Sequence, residues 1–199
     1  LIQISPPAEI WGAPETVDSS GDVGTFASLQ FRNDRTPAIA YFDATNGDLK
    51  YAEKDSGGTW NISTVDDGNG NVVGENCAMR IRSNGNPVIV YQDSTAARIK
   101  LAEWNGASWK ISNITEPAIS GDQFGLALNA RDEPLICWST LGAVGYAERL
   151  SGEWLRGNVG SNTRTPDIAF LPDGRPAVVW YAATTDSLSY AELRSFSFR

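Results

Sequence analysis

Two aspartates occupy matching places in the sequence, each at the end of an apolar run. Asp43 ends the stretch "YFD" and Asp93 ends the stretch "YQD". Carboxylates of this kind can bind Ca²⁺ through oxygen, or can serve as acid and base in glycoside hydrolysis. They can also cap the turn after a strand, because an Asp side chain accepts hydrogen bonds from nearby backbone amides. All three roles stay open at this point.

An internal repeat positions these aspartates. A Tyr-Ala-Glu or Leu-Ala-Glu triplet recurs at spacings of 50, 45 and 44 residues, beginning at Tyr51, Leu101, Tyr146 and Tyr190. A proline precedes each triplet by 12 or 14 residues: Pro37, Pro87, Pro134 and Pro176. A tryptophan follows the first three triplets by 8 or 9 residues: Trp60, Trp109 and Trp154. Three landmarks in one register indicate four copies of a single structural unit.

Each copy has the pattern of four short strands separated by turns rich in Asn, Asp, Gly and Pro. The second strand is a nearly continuous apolar run, such as "AIAYF" or "VIVYQ", which is typical of a strand buried on both faces. The sequence therefore predicts an all-β fold, a four-bladed β-propeller with four-stranded antiparallel blades. The predicted blades of this single domain (1–199) are about 27–66, 77–115, 124–160, and 166–193 plus 10–17.

The N-terminal segment supplies a strand that the last copy lacks. The stretch "IWGAPETVDSSGDVG" matches "TWNISTVDDGNGNVVG", which places Trp11 at the start of an orphan fourth strand. Residues 10–17 are thus predicted to complete the fourth blade and close the ring. The same strand could instead complete a blade in a second chain. A monomer is expected, with a strand-exchanged dimer as the alternative.

In a propeller, the loops entering each blade and the loops joining its second and third strands share one face, where ligands usually bind. The ligand-binding candidates on that face are Asp22, Asp43, Asp93, Asp122, Trp138 and Arg164. Aromatic residues at strand ends can stack on a sugar or pack between blades. Ca²⁺ held by Asp43 and Asp93 is the one metal site considered, and no other cofactor is expected.

The stretch "EKDSGGTW" joins the third and fourth predicted strands of the first copy and contains Asp55, Gly57 and Trp60. It resembles the Asp-box of sialidase-type propellers. The resemblance implies a structural turn, in which Asp55 bonds backbone amides and Trp60 packs between sheets. The wider repeat pattern resembles uncharacterised propellers of secreted or cell-surface bacterial proteins, which implies the same location here.

Composition limits the classes of partner and chemistry. With 16 Lys and Arg against 24 Asp and Glu, the net charge is −8, which argues against nucleic acid and anionic membranes as partners. There is no apolar run long enough to insert in a membrane. The sequence contains no His, so a Ser-His-Asp triad is excluded. Because the chain begins at Leu1 and its one Met is Met79, a processed fragment is expected.

These observations predict a non-catalytic, extracellular propeller that serves as a binding or structural module, with carbohydrate as the favoured ligand. Two alternatives stay open. One is a glycoside hydrolase of the Asp-box type, and the other is a scaffold for protein–protein interaction.

Overall fold

The computed structural model describes residues 12–115, 123–139, 142–160 and 163–193. The first sheet contains β1 (Val23–Phe31), β2 (Pro37–Asp43), β3 (Asp48–Lys54) and β4 (Trp60–Asp66). The second contains β5 (Val73–Ile81), β6 (Pro87–Asp93), β7 (Arg98–Trp104) and β8 (Trp109–Asn113). The third contains β9 (Phe124–Leu128), β10 (Pro134–Ser139), β11 (Val144–Leu150) and β12 (Glu153–Val159). The fourth contains β13 (Thr163–Phe170), β14 (Pro176–Ala182) and β15 (Ser187–Glu192).

The predicted all-β architecture is confirmed. Every sheet is antiparallel with its strands in chain order, and one 3₁₀ turn at Gly68–Gly70 is the only helical element in the described residues. The second strand of each repeat is largely apolar, and all seven residues of β6 are buried. No helix in these parts of the chain has the length and apolar character needed to cross a bilayer.

Three apolar clusters join neighbouring sheets. The first lies between sheets one and two and includes Leu49, Tyr51 and Met79. The other two join sheets two and three, and sheets three and four, in the same way. Each fully buried Leu, Ile or Met in these clusters contributes roughly 1.5–3 kcal/mol of stability relative to exposure. The sheets therefore pack face to face in chain order, as the blades of a propeller do.

Both cysteines lie inside these clusters as free thiols. Burial raises the pKa of Cys77 and of Cys137 to about 12. Both are therefore protonated at neutral pH and behave as small apolar side chains.

A charged hydrogen-bond cluster ties the second sheet to the first. The Tyr91 hydroxyl donates to Asp66 Oδ2 at 2.6 Å, and Lys100 Nζ pairs with the same oxygen. Burial alone would raise the pKa of Asp66, but the hydrogen bonds from Lys100 and Tyr91 outweigh it and lower the pKa. The carboxylate is therefore charged at neutral pH and holds the end of β4 against β6 and β7.

The residues just before the first sheet repeat this arrangement. The Tyr41 hydroxyl donates to Asp18 Oδ2 at 2.6 Å, and this bond is the main reason that the pKa of Asp18 is lowered to about 2. Tyr41 and Tyr91 hold the same register position, because each pairs with a lysine on the next strand. Asp18 therefore stands beside the first sheet as Asp66 stands beside the second, where the outer strand of a preceding sheet would end.

In the last two sheets, the position of Tyr41 and Tyr91 is occupied by a tryptophan that packs by size and does not join a charged cluster. Trp138 and Trp180 replace the tyrosines, and each ring lies over a glycine. A Cβ added at Gly145 would lie 2.4 Å from the Trp138 ring, and one at Gly160 would lie 2.7 Å from the Trp180 ring. The two glycines thus supply the space that the larger rings require.

Closure of the ring by the N-terminal strand is not seen in the described residues. Residues 10 and 11 lie outside them, residues 12–17 form no strand, and the fourth sheet has three strands. Leu188 on the fourth sheet is 80% exposed, and Phe31 on the first sheet is 63% exposed. Within the described parts of the chain, the row of four sheets is therefore open at both ends.

Candidate functional site

Asp43 and Asp93 are both buried turn caps. Asp43 Oδ1 accepts from the Asn46 amide at 3.1 Å, and Asp43 Oδ2 accepts from the Asn46 side chain at 2.8 Å. Asp93 Oδ1 accepts from the Ala96 amide at 2.8 Å, while Asn71 Nδ2 donates to both of its carboxylate oxygens. Each carboxylate caps the turn that follows its own strand, which is the capping role that the sequence left open, and Asp93 also binds Asn71 of the β4–β5 connection.

The other predicted ligand residues are dispersed. Asp22 is exposed, and its amide donates to Thr45 Oγ1 at 2.8 Å, which pins the entry loop to the β2–β3 turn. Arg164 is exposed near the start of β13. Trp138 is 4% exposed and packs over Gly145, while Asp122 lies outside the described residues. The described part of the chain contains no group of three or more Asp, Glu or Cys side chains arranged to hold a metal ion.

The turn predicted at Asp55 has the expected hydrogen bonds. Asp55 Oδ1 accepts from the amides of Gly57 at 2.8 Å and Thr59 at 2.9 Å. The residue with positive φ in this turn is Gly58 (+87°) and not Gly57. Trp60 is half-buried beneath Lys54, whose Nζ lies 5.5 Å from the ring centroid.

The second sheet makes the same turn with a different residue. Asn105 Oδ1 accepts from the amides of Ala107 and Ser108, both at 2.9 Å. The sequence pattern places Trp104 at the aspartate position and so misses this equivalence. The side-chain amide oxygen of Asn105 caps this turn as the carboxylate of Asp55 caps the first one, so the turn does not need the Trp104 side chain.

A cleft of about 270 Å³ opens between the first and second sheets, beside this turn. Three aromatic side chains form one wall. Trp109 meets Tyr51 edge to face, with 5.5 Å between ring centroids, and meets Trp104 in the same manner at 5.3 Å. The volume is close to the lower end of ligand pockets, which begin at roughly 300 Å³.

The rest of the cleft lining is polar and contains an ion pair. Arg32 Nη1 pairs with Glu53 Oε2, and the Tyr51 hydroxyl donates to the same oxygen at 3.0 Å. Both of these contacts fall on Glu53 Oε2, and the lone pairs of the second carboxylate oxygen, Oε1, can accept from a ligand. Asn61 and Asn86 add amide groups to the lining. The cleft thus joins an aromatic surface to several donors and acceptors while its charges nearly cancel.

The corresponding cleft between the second and third sheets is filled by an arginine. Arg149 donates from Nη1 to Glu103 Oε2 at 2.8 Å and from Nη2 to Glu103 Oε1 at 2.7 Å. Its guanidinium lies 5.6 Å from the Trp154 ring centroid. Arg149 pairs with Trp154 across β11 and β12 as Trp104 pairs with Trp109 across β7 and β8. The first cleft is therefore open because Trp104 stands where the third sheet has Arg149.

The glutamates of the second and third sheets respond differently to burial. Burial opposes the charge on Glu103, but bonds from Arg149 and Arg82 outweigh it and lower its pKa. Glu148 is also buried and has no arginine in the matching place, where Asn129 stands. Burial, assisted by repulsion from Glu133, raises the pKa of Glu148.

Replacing Glu148 with Gln should stabilise the protein at neutral pH by about 1 kcal/mol. Because the folded-state pKa is raised, charged Glu148 destabilises the fold above that pKa, and this penalty disappears as the pH falls through it toward the unfolded-state value. The expected result is a higher Tm for Glu148→Gln than for the wild type at pH 7 and equal values near pH 4. An advantage that persists unchanged at pH 4 would contradict this cause.

No protein-family model and no curated protein matches the chain. Among solved structures, it is similar to a Hadza microbial sialidase, with 14% identity over 85% of this chain and 44% of that one, and a TM-score of 0.60. It is also similar to an α-L-arabinofuranosidase from Fusarium graminearum, with 12% identity over 78% and 55% of the two chains, and a TM-score of 0.58. A protein of unknown function from Dyadobacter fermentans gives 14% identity over 84% and 64%, and a TM-score of 0.56.

At these identities the similarity defines the fold alone. The chain has the β-propeller architecture that these proteins share, and it spans between 44% and 64% of their lengths.

Proposed function

We propose that this protein is a non-catalytic carbohydrate-binding propeller whose sugar site is the cleft between the first and second sheets. The observation that carries the proposal is the combination of Trp104, Trp109 and Tyr51 with the Arg32–Glu53 pair in one open cleft. A sugar ring presents C–H groups on its faces and hydroxyls at its rim, which suits an aromatic wall beside charged hydrogen-bonding groups. Several solved structures of similar fold carry names of carbohydrate-active enzymes, which agrees with this assignment.

The arginine in the filled cleft between sheets two and three indicates how a ligand would bind in the open cleft. Arg149 offers two donors to Glu103 and a flat face to Trp154 in the filled cleft. A sugar in the open cleft would likewise offer hydroxyl donors to Glu53 and a ring face to Trp109.

Binding is favoured over hydrolysis because hydrolysis of a glycosidic bond generally requires two carboxyl groups that flank it. Among the described residues, Glu53 is the one acidic side chain in the lining of the cleft. Display on a secreted or cell-surface protein is part of the proposal, since such a module would meet its glycans there.

The test is a glycan array followed by calorimetric titration of each glycan that binds. Trp109→Ala should weaken binding by about 10- to 100-fold, because it removes the stacking wall. Glu53→Gln, which keeps the shape of the cleft, should weaken it by about 10-fold. Trp154→Ala is the matched control, because the same residue of the filled cleft should not affect binding. A blank array, or equal losses for Trp109→Ala and Trp154→Ala, would refute the assignment.

A further inference from the structure

The front face of the fourth sheet, which points away from the third, is apolar, and none of the other described sheets packs against it. Leu188 and Tyr190 are 80% and 59% exposed there. They hold the register positions of Leu49 and Tyr51 in the first sheet, which are 0% and 6% exposed because the second sheet covers them. The fourth sheet therefore presents a face that is built to pack against another sheet.

The back face of the first sheet has the complementary character. Leu29 and Phe31 are 53% and 63% exposed, and they hold the register positions of Met79 and Ile81 in the second sheet. Those two residues pack into the cluster between sheets one and two. The open face of the fourth sheet thus matches the face of sheet one that packs against sheet two. The open face of the first sheet matches the face of sheet two that packs against sheet one.

A glycine of the first sheet is also suited to this contact. Gly74, near the start of β5, lies so close to the first sheet that a Cβ there would be 2.8 Å from Leu49 Cα. Gly24 is its counterpart near the start of β1, with φ +100° and no atom within 4 Å of the added Cβ. Its backbone conformation matches that of Gly74, but no other described sheet of the same chain packs against it.

We infer that copies of this chain assemble head to tail, with the fourth sheet of one copy packed against the first sheet of the next. The residues before β1 add to the contact. Glu15 and Asp18 bond to the first sheet where the outer strand of a preceding sheet would end, and β15 has no outer neighbour in the described residues. Residues 12–17 of one copy would then lie along β15 of the other.

A second copy of the chain is the occupant that the structure favours. The faces match in register and apolar character, and each face is repeated on every copy. A head-to-tail contact closes into a ring when the rotation per copy permits it. With four sheets per copy, two copies give eight, which is the upper end of the range of about four to eight blades typical of propellers.

The test uses two variants that alter exposed side chains at opposite ends. Leu29→Lys/Phe31→Lys disables the first-sheet face, and Leu188→Lys/Tyr190→Lys disables the fourth-sheet face. Sedimentation velocity of the wild type at micromolar concentration should give twice the 21.5 kDa chain mass. Each variant alone should be monomeric, and an equimolar mixture should form a 1:1 complex through the one intact contact.

The mixture separates this arrangement from a dimer in which like faces meet, first sheet to first sheet or fourth sheet to fourth sheet. A wild-type monomer, self-association of either variant alone, or failure of the mixture to associate would each overturn the inference. Gly24→Ala gives an independent check, since it should weaken wild-type association at least about 10-fold by placing a methyl group at the closest point of the contact.

Discussion

Gly74→Ala should lower the free energy of unfolding by about 3 kcal/mol or more, which corresponds to a fall in Tm of at least about 6 °C for a chain of this size. Two effects add. The φ of +107° is unfavourable for a residue with a Cβ, and the new methyl group would lie within 3.0 Å of the backbone at Asp48 and Leu49. Backbone atoms cannot move aside as a flexible side chain can. Urea denaturation of the variant and the wild type measures the loss.

Gly24→Ala is the matched control for this prediction. It has nearly the same φ, +100°, and meets nothing within 4 Å, so it should cost about 1–2 kcal/mol from backbone strain alone. Both substitutions are compared in the Leu188→Lys/Tyr190→Lys background, so that association between copies does not contribute. Equal losses would mean that the contact with the first sheet is not the cause.

Trp104→Arg should abolish sugar binding and leave the fold intact. The new guanidinium would pair with Glu53 and lie over Trp109, as Arg149 pairs with Glu103 and lies over Trp154. We expect affinity to fall by at least about 100-fold, because the substitution both fills the cleft and satisfies its carboxylate. Calorimetric titration measures the loss, and an unchanged Tm shows that the fold is retained.

Arg149→Trp makes the reverse change in the second cleft. It should remove the arginine from Glu103 and create a second binding site, seen as a rise in the number of ligands bound per chain.

Continued tight binding by Trp104→Arg would contradict the location of the site. A loss of binding together with a collapse in Tm would contradict the filled-cleft explanation.

The fold could be predicted from the sequence because its signals are local. The prolines, the Ala-Glu triplets and the tryptophans each mark a strand or its end, so four sheets follow from their spacing. Closure of the ring depends instead on how far each sheet is rotated from its neighbour. That rotation arises from side-chain packing between sheets, as with Trp138 over Gly145, and no short stretch of sequence encodes it.

The cleft between sheets one and two could not be predicted from the sequence, for a related reason. Glu53 and Trp109 are visible in the sequence as repeat landmarks, but their equivalents Glu103 and Trp154 look the same and lie in a cleft that is filled. The difference arises from Trp104 and Arg149, whose shared position becomes clear only when the strand pairings are known. Asp43 and Asp93 drew attention because carboxylates are chemically versatile, and the structure shows both engaged in capping their turns.

Arg149 has a further consequence if copies pair as inferred. The first two clefts are equivalent in position, and one arginine distinguishes the filled cleft from the open one. A ring of two copies would carry two copies of the open cleft between sheets one and two, one per chain, related by the two-fold axis. On a surface dense in glycans, the second sugar would bind at a high effective concentration, so avidity could exceed the single-site affinity by about 10²- to 10⁴-fold where the glycan spacing allows both to engage.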